Sequence, residues 1–415
     1  MLERTANGAK PMALTPINPG PLPDDWRVMT IGSVSHRVTN GFVGSSLPHQ
    51  VEDGITYLQG FNVRPSRIEL KNRTFVSCEF HLSNPKSRLK AGDVLVVQSG
   101  HIGTAARVPD NFDEANCHAL IIIDVDREQV VPDYLVEHLN SSIGQARMRG
   151  LHVGSSMLHI NTSELAEYRL PVPPLPEQRK IAEILRTWDE AIEKLEALRA
   201  AKEGQYRALA RRFFDPCHPT FHVRPNTWRE FELGDVFHER SQSGEEGDRL
   251  LSITMTGGVI DRDDVGRKDT STEDKSNYKL ILPGDIGYNT MRMWQGVSGL
   301  SALRGIISPA YTVVTPVAKR IVGRYAAHLF KSPRMVFDFE RYSQGLTSDT
   351  WNLKFPAFSK IKVFLPPTED QTKQADLLDT FGVESSVLGK QIEALTLQKR
   401  GLMQKLLTGE WRVSC

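Results

Sequence analysis

The feature of this sequence that most restricts its fold is a long internal duplication. Two proline-rich junctions, 173–178 and 366–371, each lead into a long segment without proline. The glutamines that end the junctions, Gln178 and Gln371, lie 193 positions apart. The same offset relates Leu185 to Leu378, Leu195 to Leu388, Arg207 to Arg400 and Phe214 to Leu407. The two segments therefore align without a gap, and each predicts a long helix.

Upstream of the junctions the repeat is looser but keeps its order. Trp26 recurs as Trp228, and the Gly-Asp turn at 91–94 recurs at 283–286. Between these landmarks the copies differ in sequence and in loop length. One framework used twice with different inserts is expected when the scaffold is constant and the function resides in loops.

Both proline-free segments carry apolar residues at steps of three and four, which is typical of an amphipathic helix with a coiled-coil-like seam. The predicted interface consists of Ile181, Ile184, Leu185, Trp188, Ile192, Leu195, Leu198 and Leu209 in the first helix, and Leu377, Leu378, Phe381, Leu388, Ile392, Leu395, Leu402 and Leu406 in the second. A lone helix of this kind would expose its apolar stripe, so we expect the two to pack together, antiparallel. The alternative is that each helix merely covers its own domain.

The remaining sequence consists of short apolar runs broken by Gly, Pro, Asn and Asp, which predict strands joined by turns. Examples are the strands 94–97, 120–125, 280–282 and 311–314, with helical patterns at 132–148 and 323–341. The predicted fold class is α/β (α+β): two α/β domains separated by two long antiparallel helices in a coiled-coil-like pair, with a pseudo-twofold internal repeat. The predicted domain boundaries are a flexible tail (1–22), a first domain (23–174), a central helix (175–215), a second domain (216–366), a C-terminal helix (367–409) and a tail (410–415).

Composition and motifs exclude several classes of protein. No apolar run approaches the roughly 20 residues of a membrane span, so we expect a cytoplasmic protein. The cysteines form no Cys-x-x-Cys pair, which gives no indication of a zinc site or disulfide framework. A phosphate-binding loop, a nucleophile elbow and a His-Glu-x-x-His motif are all missing from the sequence. The chain is therefore predicted to be a binding protein with no catalytic residues and no metal or cofactor of its own.

Two pairs of polar segments are candidates for contact with DNA, because Arg, Asn, Gln, Ser and His can reach phosphates and base edges from one surface. The net charge of +1 counts modestly against this, since a dedicated DNA-binding domain usually has a pI above about 9. Hydrated loops without a ligand are the alternative for each segment. The first-domain candidates are Gln98, Ser99, His101, Arg147, Arg149, His152, Ser155, Ser156 and His159. The second-domain candidates are Asn289, Thr290, Arg292, Trp294, Arg341, Ser343, Gln344, Thr347, Ser348, Asp349, Trp351 and Asn352.

With the matched Pro-Pro-x-x-x-Gln junctions, the segment 345–356 and the ending 402–411, the chain resembles the specificity subunits of type I restriction-modification systems. The resemblance implies that each domain reads one half of a bipartite, non-palindromic site in double-stranded DNA. It also implies that the helices dock two modification (methyltransferase) subunits that use S-adenosylmethionine. A restriction (motor-nuclease) subunit would add cleavage driven by ATP and Mg. A non-catalytic helical scaffold that does not bind DNA remains the alternative.

Overall fold

The computed structural model describes residues 22–150, 159–215, 227–245, 247–255, 257–265, 275–347 and 349–414. Nearly all of the predicted N-terminal tail (1–22) lies outside the described residues. The chain divides into two compact units, one formed by residues 1–195 with 391–415 and the other by residues 196–390. None of the helices in the described ranges is both long and apolar enough to cross a membrane.

The first unit mixes short strands and helices. Its strands are β1 (Arg27–Thr30), β2 (Ser35–Asn40), β3 (Gln50–Val51), β4 (Ile55–Leu58), β5 (Val63–Arg64), β6 (Arg67–Ile68), β7 (Thr74–Val76), β8 (Val94–Val97), β9 (Ala105–Arg107), β10 (Ala115–Cys117), β11 (Leu120–Val125) and β12 (Arg169–Val172). Its helices are α1 (Cys78–Ser83), α2 (Pro132–Asn140), α3 (Ser142–Gly150), α4 (Thr162–Ala166) and the first part of α5 (Leu175–Phe214).

Antiparallel pairing organises the first unit. One sheet has the order β2-β11-β8-β9, and a second sheet, β10-β4-β7-β3, is antiparallel except where β10 runs parallel to β4. The first and last strands, β1 and β12, pair with each other, with Arg27 opposite Val172. The apolar strands β8 and β11 are buried on both faces because helices and the second sheet cover them.

The second unit repeats this plan. Its strands are β13 (Arg229–Glu232), β14 (Phe237–Glu239), β15 (Leu251–Thr254), β16 (Gly258–Asp261), β17 (Lys279–Ile281), β18 (Ile286–Asn289), β19 (Ser298–Leu300), β20 (Gly305–Ile307), β21 (Tyr311–Pro316) and β22 (Lys362–Leu365). Its helices are the last part of α5, α6 (Leu233–Val236), α7 (Gly323–Leu329), α8 (Pro333–Tyr342), α9 (Phe355–Phe358) and the first part of α10 (Thr368–Leu407).

The equivalent strands occupy equivalent places in the two units. The order β14-β21-β18-β19 matches β2-β11-β8-β9, and β13 pairs with β22 as β1 pairs with β12. The units differ in what is inserted between these strands. The second unit has the pairs β15-β16 and β17-β20, where the first has its additional sheet.

The predicted antiparallel helix pair is confirmed within each unit. In the second unit, Lys202 of α5 pairs with Glu384 of α10 at 2.8 Å, while Arg199 lies beside Gly389. In the first unit, Asp189 of α5 accepts a hydrogen bond from Lys399 of α10 at 2.6 Å. Residue numbers that increase along α5 thus meet residue numbers that decrease along α10, as antiparallel packing requires.

Both helices also contribute to each domain's core, which the sequence analysis did not predict. In the first unit, Ile181 and Leu185 join the domain core together with Met403 and Leu406. In the second unit, Ala210 and Phe214 play this part together with Ala375 and Leu378. Two leucines of the predicted helix interface, Leu198 and Leu377, remain 45% and 43% exposed.

Each predicted helical pattern before the junctions is in fact two helices. The segment 132–148 breaks at Ser141, whose hydroxyl accepts a hydrogen bond from Gly144 N at 3.0 Å. The segment 323–341 breaks before Pro333, where Ser332 accepts from Met335 N at 3.3 Å. Serine N-caps, and a proline that cannot continue the preceding helix, explain why each pattern restarts.

The repeated glutamine of each junction is buried and holds its domain to the start of a long helix. In the first unit, Gln178 Oε1 accepts from Val131 N at 2.8 Å, and Gln178 Nε2 donates to the carbonyl oxygens of Gln129 and Pro173. In the second, Gln371 accepts from Val322 N at 2.9 Å and donates to two equivalent carbonyls. The motif therefore has a structural cause, since one side chain satisfies three buried backbone groups.

The C-terminal tail is anchored as far as it is described. Arg412 donates to Glu177 at 2.7 Å and to Asp25 at 2.7 Å. The Trp26 indole donates to the same Glu177 carboxylate at 3.1 Å. Residues from the beginning and the end of the described chain thus meet at the start of α5.

Candidate nucleic-acid interface

In the first unit, the loop after β8 meets the segment that precedes α4. The Ile160 amide donates to the Gln98 carbonyl at 3.1 Å, and the Ser99 hydroxyl lies 2.9 Å from His159 Nδ1. Helix α3 supports the same loop, because Gln145 Nε2 donates to the Gly103 carbonyl at 2.8 Å. Two predicted segments that are far apart in sequence therefore form one surface.

The predicted first-domain residues divide into three groups. Ser99, His101, Arg149 and His159 are exposed. Arg147 is half-buried and donates to the Arg169 carbonyl at 3.1 Å, while Gln98 is only 3% exposed, so its amide group is not at the surface. His152, Ser155 and Ser156 lie outside the described residues.

The buried rings of His138 and Tyr168, close to Arg147, add no charge to this surface. His138 lies 3.1 Å from the Tyr168 hydroxyl, and burial lowers the pKa of His138 to about 3. Burial also raises the pKa of Tyr168 to about 12. Both rings are neutral near pH 7, because burial in a low-dielectric interior disfavours the charged form of each.

In the second unit, the loop after β18 meets the segment between α8 and α9. The Leu353 amide donates to the Thr290 carbonyl at 2.8 Å. The Trp294 and Trp351 rings make an edge-to-face contact with centroids 5.5 Å apart. The two predicted second-domain segments therefore lie side by side.

Residues 344–347 and 349–352 form the two arms of a hairpin. The backbones of Gln344 and Asn352 exchange two hydrogen bonds of 2.9 Å, and the Thr350 amide donates to the Thr347 carbonyl at 2.9 Å. Gly345 has a φ of +148°, and a Cβ there would lie 2.7 Å from the Thr350 carbonyl oxygen. Only glycine allows the two strands of the hairpin to approach this closely.

Most of the predicted second-domain residues are on this surface. Arg292, Arg341, Gln344, Thr347 and Asp349 are exposed. Asn289, Thr290, Trp294, Ser343, Trp351 and Asn352 are partly buried in the contacts that join the two segments, and Ser343 donates to the Phe339 carbonyl at the end of α8. Ser348 lies outside the described residues.

The same loop contact therefore recurs at equivalent places in the two units. The amide that follows His159 bonds to the loop after β8, and the amide that follows Asn352 bonds to the loop after β18. The side chains displayed differ, with serine and histidines in the first unit and arginine, asparagine and tryptophans in the second. Such an arrangement presents two different polar surfaces on one scaffold.

A cavity of about 530 Å³ lies beside the second-unit surface, and its lining includes Lys279, Thr290, Asn352 and Lys354. The sequence analysis missed both lysines. Lys354 comes two residues after a predicted contact residue, so extending that segment would have found it. Lys279 belongs to a distant strand, and only the folded topology brings it here.

Among the described residues, no group of three or more His, Cys, Asp or Glu side chains could hold a metal ion. The surface can provide hydrogen-bond donors, acceptors, cations and aromatic faces. Such groups are suited to recognition of a polyanion.

Residues 23–202 match the family described as the type I restriction modification DNA specificity domain. Over most of its length the chain is similar to two curated relatives. It is 22% identical over 427 residues to the type I restriction enzyme MjaVIII specificity subunit of Methanocaldococcus jannaschii, covering 94% of each chain. It is 20% identical over 441 residues to the EcoKI specificity subunit of Escherichia coli, covering 95% of this chain and 91% of that one.

The chain is a homologue of type I restriction enzyme specificity subunits. The resemblance seen in its junction motifs is thereby confirmed.

Solved structures agree in fold with this family. The chain matches the S subunit of a type I restriction-modification system from M. genitalium with a TM-score of 0.60 at 18% identity, covering 95% of this chain and 98% of that one. A chain from a study of complex assembly and conformational transition in a type I system matches with a TM-score of 0.55 at 18% identity, covering 95% of this chain and all of that one.

Proposed function

We propose that this chain is the DNA sequence-recognition subunit of a type I restriction-modification complex, with one half-site read by each unit. The observation that carries the proposal is the recurrence of one hydrogen-bonded loop pair, in which the Gln98–Ile160 contact corresponds to the Thr290–Leu353 contact. Each loop pair displays side chains suited to phosphates and base edges.

The two half-sites differ in sequence under this proposal. A symmetric site is matched by symmetric protein surfaces, whereas the two loop pairs here carry different residues. The target is therefore bipartite and non-palindromic.

Catalysis belongs to partner subunits. Modification subunits would supply S-adenosylmethionine chemistry, a restriction subunit would supply ATP- and Mg-dependent cleavage, and this cytoplasmic chain would bind neither cofactor. The long helices are the docking site for the modification subunits. They expose apolar side chains to solvent, and exposed apolar surface of this kind is typical of a protein–protein interface. The exposed positions include Leu198, Val383, Val387 and Leu397.

A gel-shift experiment tests DNA binding directly. The chain with its co-purified modification subunits should bind duplex DNA with an affinity that falls steeply with salt, because phosphate contacts release counterions. Mapping of the methylated sites in the host genome should give one bipartite sequence. Binding that is absent at every salt concentration, with and without the modification subunits, would refute the proposal.

Domain exchange tests the assignment of half-sites. Replacing 222–366 with the corresponding segment of another specificity subunit should change one half of the methylated sequence and leave the other half intact. The matched control replaces 23–174 and should change the opposite half. A change in both halves from either exchange contradicts independent reading.

Substitution of an exposed helix residue tests docking. Val387→Asp places a charge on a side chain that is 49% exposed, so the chain itself should stay folded while co-purification with modification subunits falls. The control is Val43→Asp, which alters a 69% exposed valine away from the helices. Equal recovery of the complex with both variants would exclude Val387 from the docking surface.

A further inference from the structure

We infer that Leu346, at the tip of the second-unit hairpin, is an apolar wedge that inserts between base pairs of the half-site read by this unit. The inference rests on the proposed function and assigns a role to one residue within it. Three observations support it: the exposure of the side chain, the hydrogen bonds of the hairpin and the chemistry around it.

Leu346 is fully exposed, with a relative accessibility of 101%. Other exposed large apolar residues in the described ranges remain partly covered, as with Leu47 at 74% and Leu82 at 67%. The Leu346 side chain thus adds nothing to the core of its unit. A leucine with no packing partner of its own chain is a candidate for packing against a ligand.

Hydrogen bonds join the two arms of the hairpin on either side of Leu346. Its base is closed by the paired backbones of Gln344 and Asn352, and the Asn352 side chain adds a hydrogen bond of 3.2 Å to the Gln344 carbonyl. On the far side of the tip, Thr350 Oγ1 accepts from the Thr347 amide at 3.2 Å. The backbone that flanks Leu346 is therefore paired before DNA binds, so less of this loop has to be ordered on insertion.

The surroundings of the hairpin are those of a nucleic-acid surface. The adjoining loop exposes Arg292, and the chain after the hairpin exposes Lys354. The Trp294–Trp351 pair supports the hairpin from the side. An apolar tip among cations and amides matches proteins that unstack a base step with Leu, Ile, Met or Phe while contacting the phosphates.

The test uses the complex of this chain with its modification subunits and duplexes that carry the mapped target sequence. 2-Aminopurine is placed at successive positions of the second-unit half-site, away from the mapped methylated base. The wild-type complex should raise its fluorescence at one base step, because the wedge unstacks it. L346A should lose that rise and bind the specific duplex about ten- to a hundredfold more weakly, the cost of losing one buried leucine contact.

Two controls separate the wedge from other roles of Leu346. L346A should unfold at the same temperature as the wild type and bind unrelated duplex DNA equally well, because the side chain is not part of the core. L82A removes a 67% exposed leucine from the first unit and should leave the fluorescence at this step unchanged.

Several outcomes would overturn the inference. One is an unchanged fluorescence profile with unchanged affinity in L346A. Another is a loss of modification subunits from L346A without any change in DNA behaviour, which would make the tip a protein contact. A wild-type complex that binds no duplex would instead refute the proposed function itself.

Discussion

The two units solve the same structural problem with different polar chemistry. In the first unit, helix α2 attaches the domain to the helix pair, and in the second unit helix α7 does so. In the first unit, Glu137 lies 3.3 Å from Lys399, which also binds Asp189. At the equivalent place in the second unit, His328 contacts Tyr206 at 3.0 Å and Asp379 at 2.8 Å.

A second difference lies in the equivalent Gly-Asp turns. Asp285 is paired with Arg240 at 2.7 Å and accepts from Thr315 at 2.7 Å. Asp93 makes the same turn, accepting from Lys90 N at 2.8 Å, but burial raises its pKa to about 6. The two units thus share the backbone geometry of this turn. They differ in the side chains that pair with its buried aspartate.

The largest expected effect concerns what the units share. Gln178→Ala and Gln371→Ala each leave three buried backbone groups without partners, so each should lower the free energy of unfolding by about 4 kcal/mol. Chemical denaturation measures this, with the exposed Gln398→Ala as the control expected to be neutral. Clearly unequal losses from the two variants would break the equivalence of the junctions.

The next effect should separate the two turns. Asp285→Asn removes the partner of a mostly buried arginine and should cost about 3 kcal/mol. Asp93→Asn keeps an oxygen for the Lys90 amide and should change the stability at pH 7.5 by less than about 1 kcal/mol. Denaturation of both variants at one pH checks this, and a larger loss from Asp93→Asn would contradict it.

A smaller difference is expected at the helix attachments. Lys399→Met leaves Glu137, whose carboxylate is nearly buried, without its cation and should cost about 2 kcal/mol. Tyr206→Phe removes one neutral hydrogen bond and should cost about 1 kcal/mol. The exposed Lys390→Met serves as the neutral control in the same denaturation series. Reversal of the order would mean that the first attachment does not depend on its ion pair.

The smallest effect is a dependence of stability on pH, which should be more nearly balanced in the first unit than in the second. Burial lowers the pKa of His328 below its usual 6.5, so the unfolded chain binds the proton more readily and the second unit loses stability as the pH falls through 6.5. In the first unit two buried groups act in opposite directions: Asp93, with its raised pKa, adds stability as the pH falls from about 7 toward 4, whereas His138, with its pKa lowered to about 3, removes stability as the pH falls through 6.5. Hydrogen exchange in α7 and α2 between pH 7.5 and 5.5 reports each unit, and His328→Gln should remove the loss in α7.

Much of the fold was predictable because its signals are local and repeated. The runs 94–97 and 120–125 form the strands β8 and β11, and the proline-free segments form α5 and α10. The helix breaks at Ser141 and Ser332 were missed, since the apolar pattern continues across a serine that caps the next helix. Which helix residues are buried in each core depends on the tertiary contacts between elements, which the local sequence pattern does not reveal.

The candidate site was predictable only in part. Polar composition identified the segments that lie together in each unit, but it did not reveal that Gln98 is buried or that Leu346 is fully exposed. Those facts depend on how the loop after β8 folds inward and on how the Gln344–Asn352 hairpin projects. The contribution of Lys279 depends on strand order, which a single sequence does not reveal.

The pairing of first and last strands has a consequence for how such a chain can change. Because β1 lies beside β12, and β13 beside β22, everything between them begins and ends at neighbouring positions. An insertion as large as the additional sheet of the first unit can then arise without displacing either helix. The strand pair separates the inserted segments from the long helices. The loops of a domain can therefore change in length and sequence while the helix faces keep their positions.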